Sequence, residues 1–167
     1  MHETIVQTQG QTSRILIGRH GDDLTALLPT QRAAIVTDHN VYRFYGSRFP
    51  DFPVLTIGSG EGIKNLETVA QLARELMDLD ADRSWFILGI GGGIVCDVAG
   101  FLASIYMRGV RFGFVPTTLL AQVDASVGGK NGVNLDGYKN MLGVFNQPEF
   151  VLCDPEYISS LEEEDLA

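Results

Sequence analysis

The sequence predicts an α/β fold, with a Rossmann-like, mostly parallel sheet covered by helices on both faces. Short apolar runs recur along the chain, and helix-like segments separate them. The runs are continuously apolar rather than alternating, which is typical of strands buried on both faces. A chain that alternates strands and helices in this order favours a parallel sheet.

The predicted strands are short and end at residues that favour turns. In chain order they are 15–17, 33–37, 54–57, 85–90, 111–116 and 150–153. Glycine, Asx or proline residues follow most of them, namely Gly18, Asp38 to Asn40, Gly58 to Gly60, Gly91 to Gly93 and Asp154 with Pro155.

Two helices are predicted between these strands. Residues 66–79 place their apolar side chains on one face, namely Leu66, Val69, Leu72, Ala73, Leu76 and Leu79. Residues 94–107 are apolar nearly all round, so this helix is predicted to be buried. Ligands of such folds bind beyond the carboxyl ends of the strands, so the loops after the second to fifth strands are the predicted site.

Composition and charge exclude several classes of function. The 167 residues carry a net charge of −9, which argues against a general nucleic-acid binder. Cys96 and Cys153 form no CxxC pattern, so a disulfide framework is not expected and a reducing compartment fits. The first residues are polar and no apolar run approaches the ~18 residues of a membrane span. We therefore expect a cytoplasmic protein without a membrane or nucleic-acid partner.

The glycine run Gly91 to Gly93 is the first candidate site, because it lies between a buried strand and a buried helix. Glycines there allow backbone N–H groups to approach a phosphate, although a tight turn without a ligand is the alternative. The run matches neither GxGxxG nor a P-loop. Asp97, one turn into an apolar helix, either caps the helix start or binds a polar group such as a ribose hydroxyl or an ammonium.

The other candidates each have a simpler interpretation. Glu61 and Lys64 could reach ribose hydroxyls, or they could mark an exposed helix start. Asp38 and Asn40 could be turn formers. Asp124 lies in the same glycine-rich part of the chain as two lysines. Lys130 follows Gly128-Gly129, and Lys139 with its neighbour Asn140 follows Asp136-Gly137 closely. Lysines in such loops suit an anion site, although most lysines are simply solvated. The histidines, His2, His20 and His39, lack metal-ligand spacing, so no metal site is predicted.

Residues 91–134, GGGIVCDVAGFLASIYMRGVRFGFVPTTLLAQVDASVGGKNGVN, continued by GYKNMLGVFNQP, resemble the 3-dehydroquinate synthase family. The similarity spans roughly residues 56 to 166 and is specific, because GGGxxxDxxG, PTTLLAxxDxSxGGK and KNxxGxFxQP occur in order. Cys96, Ser59 and Leu135-Asp136 depart from the usual family residues, and none of them replaces a charged group that performs the chemistry.

This resemblance implies an enzyme of the shikimate pathway, which leads to chorismate and the aromatic amino acids. Members are lyases that convert 3-deoxy-D-arabino-heptulosonate 7-phosphate to 3-dehydroquinate and phosphate. They bind NAD, used catalytically, in an N-terminal α/β domain. They hold a divalent metal, zinc or cobalt, in a helical C-terminal domain, and the family resemblance implies a homodimer acting on this sugar-phosphate substrate.

The resemblance also assigns site residues. Cofactor contacts fall on Asp38, Asn40, Glu61, Lys64, Gly92, Gly93, Asp97, Thr117, Thr118, Leu120, Lys130, Lys139, Ser160, Leu161 and Asp165. The nicotinamide and substrate would meet Asp124, Lys130, Lys139 and Asn140, and Arg108 would reach the substrate phosphate of the neighbouring subunit. The family's metal ligands, a glutamate and two histidines, have no counterpart in this sequence.

We expect residues 1–160 to form the NAD-binding domain and residues 161–167 to begin the helical domain. Ser160 and Glu163 fit a capping box at that point, with a frayed acidic tail as the alternative. Half of the family's active site has no counterpart here, so the chain is expected to bind NAD weakly and to be inactive alone.

Three other hypotheses about the function of this chain remain open. The first is a sister sugar-phosphate cyclase, although the intact SVGGK and KN runs argue against it. The second is a glycerol-type alcohol dehydrogenase, although Gly100 stands where those relatives have lysine. The third is a stand-alone NAD-binding module without catalysis.

Overall fold

The central sheet has seven strands in the order β1-β2-β9-β6-β5-β3-β4. The computed structural model describes residues 2–8, 10–18 and 24–158. The strands are β1 (His2–Thr8), β2 (Gln11–Ile17), β3 (Ala33–Asp38), β4 (Val54–Ile57), β5 (Phe86–Gly91), β6 (Arg111–Pro116) and β9 (Phe150–Cys153). All neighbours in the sheet pair in parallel except β1 with β2, so the predicted fold class is confirmed.

Helices cover both faces of this sheet. The α-helices are α1 (His39–Tyr45), α2 (Leu66–Asp78) and α3 (Gly93–Ile105). Helices α2 and α3 pack on one face with Ile87 of β5, and Tyr45 of α1 packs on the other face with Leu88. Successive residues of β5 therefore face the apolar cores on opposite sides of the sheet. This explains why the sequences of these strands are continuously apolar.

Single-turn helices connect the main elements. They are 3₁₀ turns at Leu24–Leu27, Gly46–Arg48, Glu61–Ile63, Tyr106–Arg108 and Pro155–Ile158, with a π-helical turn at Ala121–Ala125. No helix in the described part of the chain is long and apolar enough to cross a membrane.

Strand β1 was not predicted from the sequence. Its side chains are exposed or nearly so, including Ile5, and it pairs only with β2 in an antiparallel hairpin at the edge of the sheet. A strand without a buried face shows neither a continuous apolar run nor apolar alternation, so hydrophobic patterning cannot detect it.

The second unpredicted feature is a hairpin of β7 (Lys130–Leu135) and β8 (Tyr138–Phe145), which forms its own two-stranded sheet. The two-residue turn between the strands consists of Asp136 at φ 49° and Gly137 at φ 82°. Positive φ at both positions is the hairpin turn for which Asp-Gly is a strong sequence signal. The signal was therefore present in the sequence, and our strand prediction missed it.

The hairpin packs directly on α3 at Gly100. A Cβ built there would lie 2.0 Å from Oδ1 of the buried Asn131. Asn131 is held in place because its Nδ2 donates to the carbonyl oxygens of Gly129 (3.1 Å) and Asn146 (2.8 Å). Only glycine allows α3 and β7 this close, and the contact positions the hairpin against the helix.

Candidate functional site

A cleft of about 510 Å³ lies beyond the carboxyl ends of β3, β4, β5 and β6. This is where the order of elements predicted a ligand site. The residues that line it come from four separate loops. Among them are the predicted cofactor residues Asp38, Asn40, Gly92, Gly93, Thr117 and Thr118.

The N-terminus of α3 opens into this cleft at Gly92 and Gly93. Gly92 is the N-cap residue and has no side chain, so the first N–H groups of α3 face the cleft without a side-chain cap. A Cβ at Gly92 would come within 3.2 Å of Thr118, and one at Gly93 within 3.2 Å of Ala125. A side chain at Gly92 would narrow the cleft in front of a helix end that attracts anions, since Thr118 also lines this cleft.

Asp38 and Asn40 border the same cleft and also have local roles. Asp38 is the N-cap of α1, and its Oδ1 accepts a hydrogen bond from the backbone N of Val41 at 2.9 Å. Asn40 donates to the hydroxyl of Ser59 at 3.3 Å, which joins the loops that follow β3 and β4. Asp38 therefore starts helix α1 rather than a turn, and its contact with a ligand stays a prediction.

A second pocket of about 480 Å³ lies between α3, the π-helical turn and the β7–β8 hairpin. It brings together four of the predicted site residues, Asp97, Asp124, Lys130 and Asn140. Asp124 and Lys130 are exposed in this pocket. Helix α3 contributes to both hollows, with its first residues at the cleft and Asp97 at the pocket.

Lys64 contacts two residues of this pocket and is buried, with 5% of its surface exposed. Its Nζ donates to Oδ2 of Asp97 at 2.5 Å and to Oδ1 of Asn140 at 2.6 Å. The interpretation of Lys64 as part of an exposed helix start is therefore wrong. The two acceptors lie on different elements, so the ammonium group joins α3 to strand β8.

Asp97 does not cap α3, because Gly92 occupies that position. Of the two roles predicted for Asp97, the structure selects contact with an ammonium group, that of Lys64. Burial raises the pKa of the Asp97 carboxyl above its ordinary value, although the hydrogen bond and charge of Lys64 act in the opposite direction. The nearby carboxylates of Glu61 and Asp124 also raise it.

Asn134 is a residue of this site that the sequence analysis did not identify. Its Nδ2 donates to Oε1 of Glu61 at 2.8 Å, and its Oδ1 accepts from the backbone N of Asn140 at 2.9 Å. Its own backbone N donates to the carbonyl oxygen of Lys64 at 2.9 Å. Recognition of the Asp-Gly turn would have placed Asn134 and Asn140 near each other across the hairpin.

Lys139 points into a separate hollow of about 350 Å³ that Glu61, Lys64 and Asn134 also line. Neighbouring residues of a strand face opposite sides, which separates Lys139 from Asn140. The structure thus places Lys130 and Lys139 in different hollows on either side of the hairpin.

Other predicted residues lie outside these hollows. Leu120 is 70% exposed and lines none of them. Arg108 is exposed at the end of α3 that is remote from the cleft, roughly 20 Å away for a helix of this length. The predicted contacts at Ser160, Leu161 and Asp165, and the expected domain start at 161–167, lie outside the described residues.

Within the described ranges, no group of three or more His, Cys, Asp or Glu side chains could hold a metal ion. The two acidic side chains of the pocket, Asp97 and Asp124, are accompanied by Lys130, which is not a ligand type expected around a divalent cation. These residues therefore do not fit the divalent metal that the resemblance implies.

Comparison with known proteins gives the same family as the sequence motifs. A family model described as 3-dehydroquinate synthase N-terminal matches residues 54–167. The 3-dehydroquinate synthase of Streptococcus sanguinis is 44% identical over 159 residues, which cover 90% of this chain and 44% of that protein. That of Saccharolobus solfataricus is 40% identical over 157 residues, covering 94% of this chain and 43% of that protein.

Among solved structures, a 2-deoxy-scyllo-inosose synthase complexed with carbaglucose-6-phosphate, NAD⁺ and Co²⁺ superposes with a TM-score of 0.86. It is 26% identical in sequence, and the match covers 98% of this chain and 48% of that one. The chain spans about half the length of the curated relatives it matches.

Proposed function

Since this chain belongs to the 3-dehydroquinate synthase family, we propose that it is the NAD-binding part of a 3-dehydroquinate synthase. The proposed reaction converts 3-deoxy-D-arabino-heptulosonate 7-phosphate to 3-dehydroquinate and phosphate. One observation carries the proposal: a single helix, α3, opens at its N-terminus into the cleft and contributes Asp97 to the adjoining pocket. A cofactor in the cleft would therefore lie beside a substrate in the pocket.

The residues of the cleft fit a dinucleotide. Gly92 and Gly93 present backbone N–H groups where a pyrophosphate would receive both hydrogen bonds and the favourable end of the helix dipole. Asp38 and Asn40 border the part of the cleft that follows β3, where they would hold the adenosine end. Thr117 and Thr118, after β6, would contact the cofactor from the opposite side.

When bound, NAD supplies hydride acceptance and return, and the protein supplies position and electrostatics. Lys130, exposed in the pocket, provides a positive charge for an anionic substrate in a chain whose net charge is −9. Asp124 presents a carboxylate that can accept a hydrogen bond or a proton from a substrate hydroxyl. The Lys64 ammonium group donates hydrogen bonds to the Asp97 carboxylate and to the Asn140 side-chain oxygen. It therefore holds these two residues of the pocket wall together.

The proposal includes zinc or cobalt only for the complete enzyme, with ligands outside the described residues. We also propose that the complete enzyme is a cytoplasmic homodimer in which Arg108 reaches the substrate phosphate of the neighbouring subunit. The exposed position of Arg108, remote from its own cleft, is compatible with that role.

Calorimetric titration of the chain with NAD tests the cofactor assignment. We expect saturable binding, which Gly92→Val should abolish because its Cβ would lie 3.2 Å from Thr118, inside the cleft in front of α3. Gln71→Ala is the matched control, since Gln71 bonds only Glu75 on the exposed face of α2 among its described contacts. Absence of binding by the unmodified chain, or normal binding by Gly92→Val, would contradict the assignment.

Turnover is tested separately. We expect no phosphate release from the heptulosonate phosphate by this chain alone, and measurable release would contradict the proposed division of the active site. In the complete enzyme, Asp124→Asn and Lys130→Ala should each lower turnover by orders of magnitude, and near-normal turnover in both would remove them from the site.

The runner-up functions are a sister sugar-phosphate cyclase and a stand-alone NAD-binding module. The 44% identity to a 3-dehydroquinate synthase against 26% to a 2-deoxy-scyllo-inosose synthase favours the first proposal over the sister cyclase. Gly100 argues against an alcohol dehydrogenase, since a lysine Cβ there would overlap Asn131. Assay of the complete enzyme with both classes of sugar phosphate separates the cyclases.

A further inference from the structure

Asn134 is the only described residue whose hydrogen bonds reach Glu61, Lys64 and Asn140 at once. The amide donor contacts the Glu61 carboxylate, the amide acceptor contacts the Asn140 backbone, and the Asn134 backbone contacts that of Lys64. An isolated β-bridge between Asn65 and Asn134 reinforces the same junction. One side chain thus ties the loop after β4 to the hairpin.

We propose that Asn134 is a positioning residue that fixes Glu61 and Asn140 on either side of Lys64 and so couples the cofactor cleft to the substrate pocket. This inference rests on the proposed function. Glu61 directly follows residues 58–60, which line the cleft, and Asn140 lines the pocket, so a rigid link between Glu61 and Asn140 would align the two ligands.

The chemistry of the junction requires a side-chain amide. A carboxylate needs a donor, and a backbone N–H needs an acceptor, and a single amide group offers both. Aspartate at this position would still accept from Asn140, but it would repel Glu61. A hydrocarbon side chain would satisfy neither partner.

Asn140 depends on this contact because its backbone is in the left-handed region, at φ 53°. That conformation costs a non-glycine residue roughly 1 kcal/mol, although asparagine tolerates it better than most. The bond from its N–H to Asn134 holds the backbone there, and the Asn140 side-chain oxygen then meets Lys64 Nζ at 2.6 Å. Loss of Asn134 would release Asn140 from Lys64.

The first test measures amide hydrogen exchange of Asn140 in the ligand-free chain by NMR. We expect Asn134→Ala to increase the Asn140 exchange rate about tenfold, the loss expected for one hydrogen bond. Asn134→Asp should leave the rate within about twofold, since it keeps the acceptor. An unchanged rate in Asn134→Ala would overturn the inference whether or not NAD binds.

The second test is a double-mutant cycle on the dissociation constant for NAD. We expect Asn134→Asp to weaken binding about tenfold, and to have less than about a twofold effect in the Glu61→Ala background. Normal affinity in Asn134→Asp, or effects that multiply in the double mutant, would overturn a positioning role through Glu61. Gln71→Ala controls for the loss of a surface amide.

Failure of the two proposals can be told apart. If the unmodified chain does not bind NAD, the proposed function is refuted while the exchange test still decides the structural link. If Asn134→Ala does not fold, Asn134→Asp provides the decisive comparison, because increased Asn140 exchange in that variant would contradict the proposed acceptor.

Discussion

Replacement of Lys64 by methionine isolates the contribution of the buried ion pair. Methionine keeps a similar unbranched side chain and removes the ammonium group. The change leaves the Asp97 carboxylate and the Asn140 side-chain oxygen without the donor that they share.

The expected destabilisation follows from the burial of both charges. Breaking a buried pair typically costs about 3–5 kcal/mol. The Lys64 side chain is 7% exposed and that of Asp97 is 19% exposed, so water can replace part of the lost interaction at Asp97. We therefore expect a loss of about 2–4 kcal/mol near pH 8, which most domains of this size would survive.

The loss should shrink as the pH falls. Burial already raises the pKa of Asp97, and the Lys64→Met variant lacks the Lys64 hydrogen bond and charge that oppose this effect. Between the ordinary pKa and the raised one, the folded state binds more protons than the unfolded state. Stability of the variant then falls as pH rises through this window and recovers as pH falls, so the difference from the unmodified chain narrows.

Urea denaturation followed by circular dichroism, at several values between about pH 5 and pH 8, measures this difference. Arg74→Met is the matched control, because Arg74 pairs with Glu67 at 3.4 Å on an exposed surface. The control should cost less than about 1 kcal/mol. The double variant Lys64→Met with Asp97→Asn should be more stable than Lys64→Met alone and should lack its pH dependence.

Two outcomes would refute the reasoning. A loss below about 0.5 kcal/mol near pH 8 would mean that Lys64 behaves as an ordinary surface lysine. A loss that stays constant across the pH range would mean that protonation of Asp97 does not compensate for the missing ammonium group.

Gly100→Ala should destabilise the chain by about 1–3 kcal/mol or more, because its Cβ would overlap Asn131. The control Gly62→Ala, which has nothing within 4 Å of the added Cβ, should be close to neutral in the same urea assay. Asp38→Ala should cost about 1 kcal/mol through loss of the N-cap of α1, and a change below about 0.3 kcal/mol would contradict that role. The thiols of Cys96 and Cys153 are buried, and burial raises the pKa of each, so iodoacetamide should modify them near pH 8 only after unfolding in urea. Rapid modification of the folded chain, followed by mass spectrometry, would show that the thiols are accessible.

The elements that the sequence predicted are those with a strong local pattern. Helix α2 spans Leu66–Asp78 against a prediction of 66–79, and α3 spans Gly93–Ile105 against 94–107. The parallel strands match to within a few residues, because each is an apolar run bounded by turn formers. Strand β1 was missed because its exposed residues lack such a pattern. The hairpin was missed although its Asp-Gly turn is a signal in the sequence.

Placement of the site was predicted less completely than the fold. The loops after adjacent parallel strands converge as expected, and they bring Asp38, Gly92 and Thr118 to one cleft. The family motifs also identified Asp124, Lys130 and Asn140, which share the second pocket. Neither source separated Lys139 from this group, since its position depends on which face of β8 it occupies.

The sequence by itself determined the fold class, the positions of the buried strands and the family, because these depend on local periodicity, turn chemistry and ordered motifs. Only the tertiary structure decided that Lys64 is buried and paired. Its partners Asp97 and Asn140 lie 33 and 76 residues away along the chain, and Asn134 reaches Glu61 across 73 residues. Contacts at such separations arise when the hairpin packs on α3, and no local pattern of residue types records which donor will meet which acceptor.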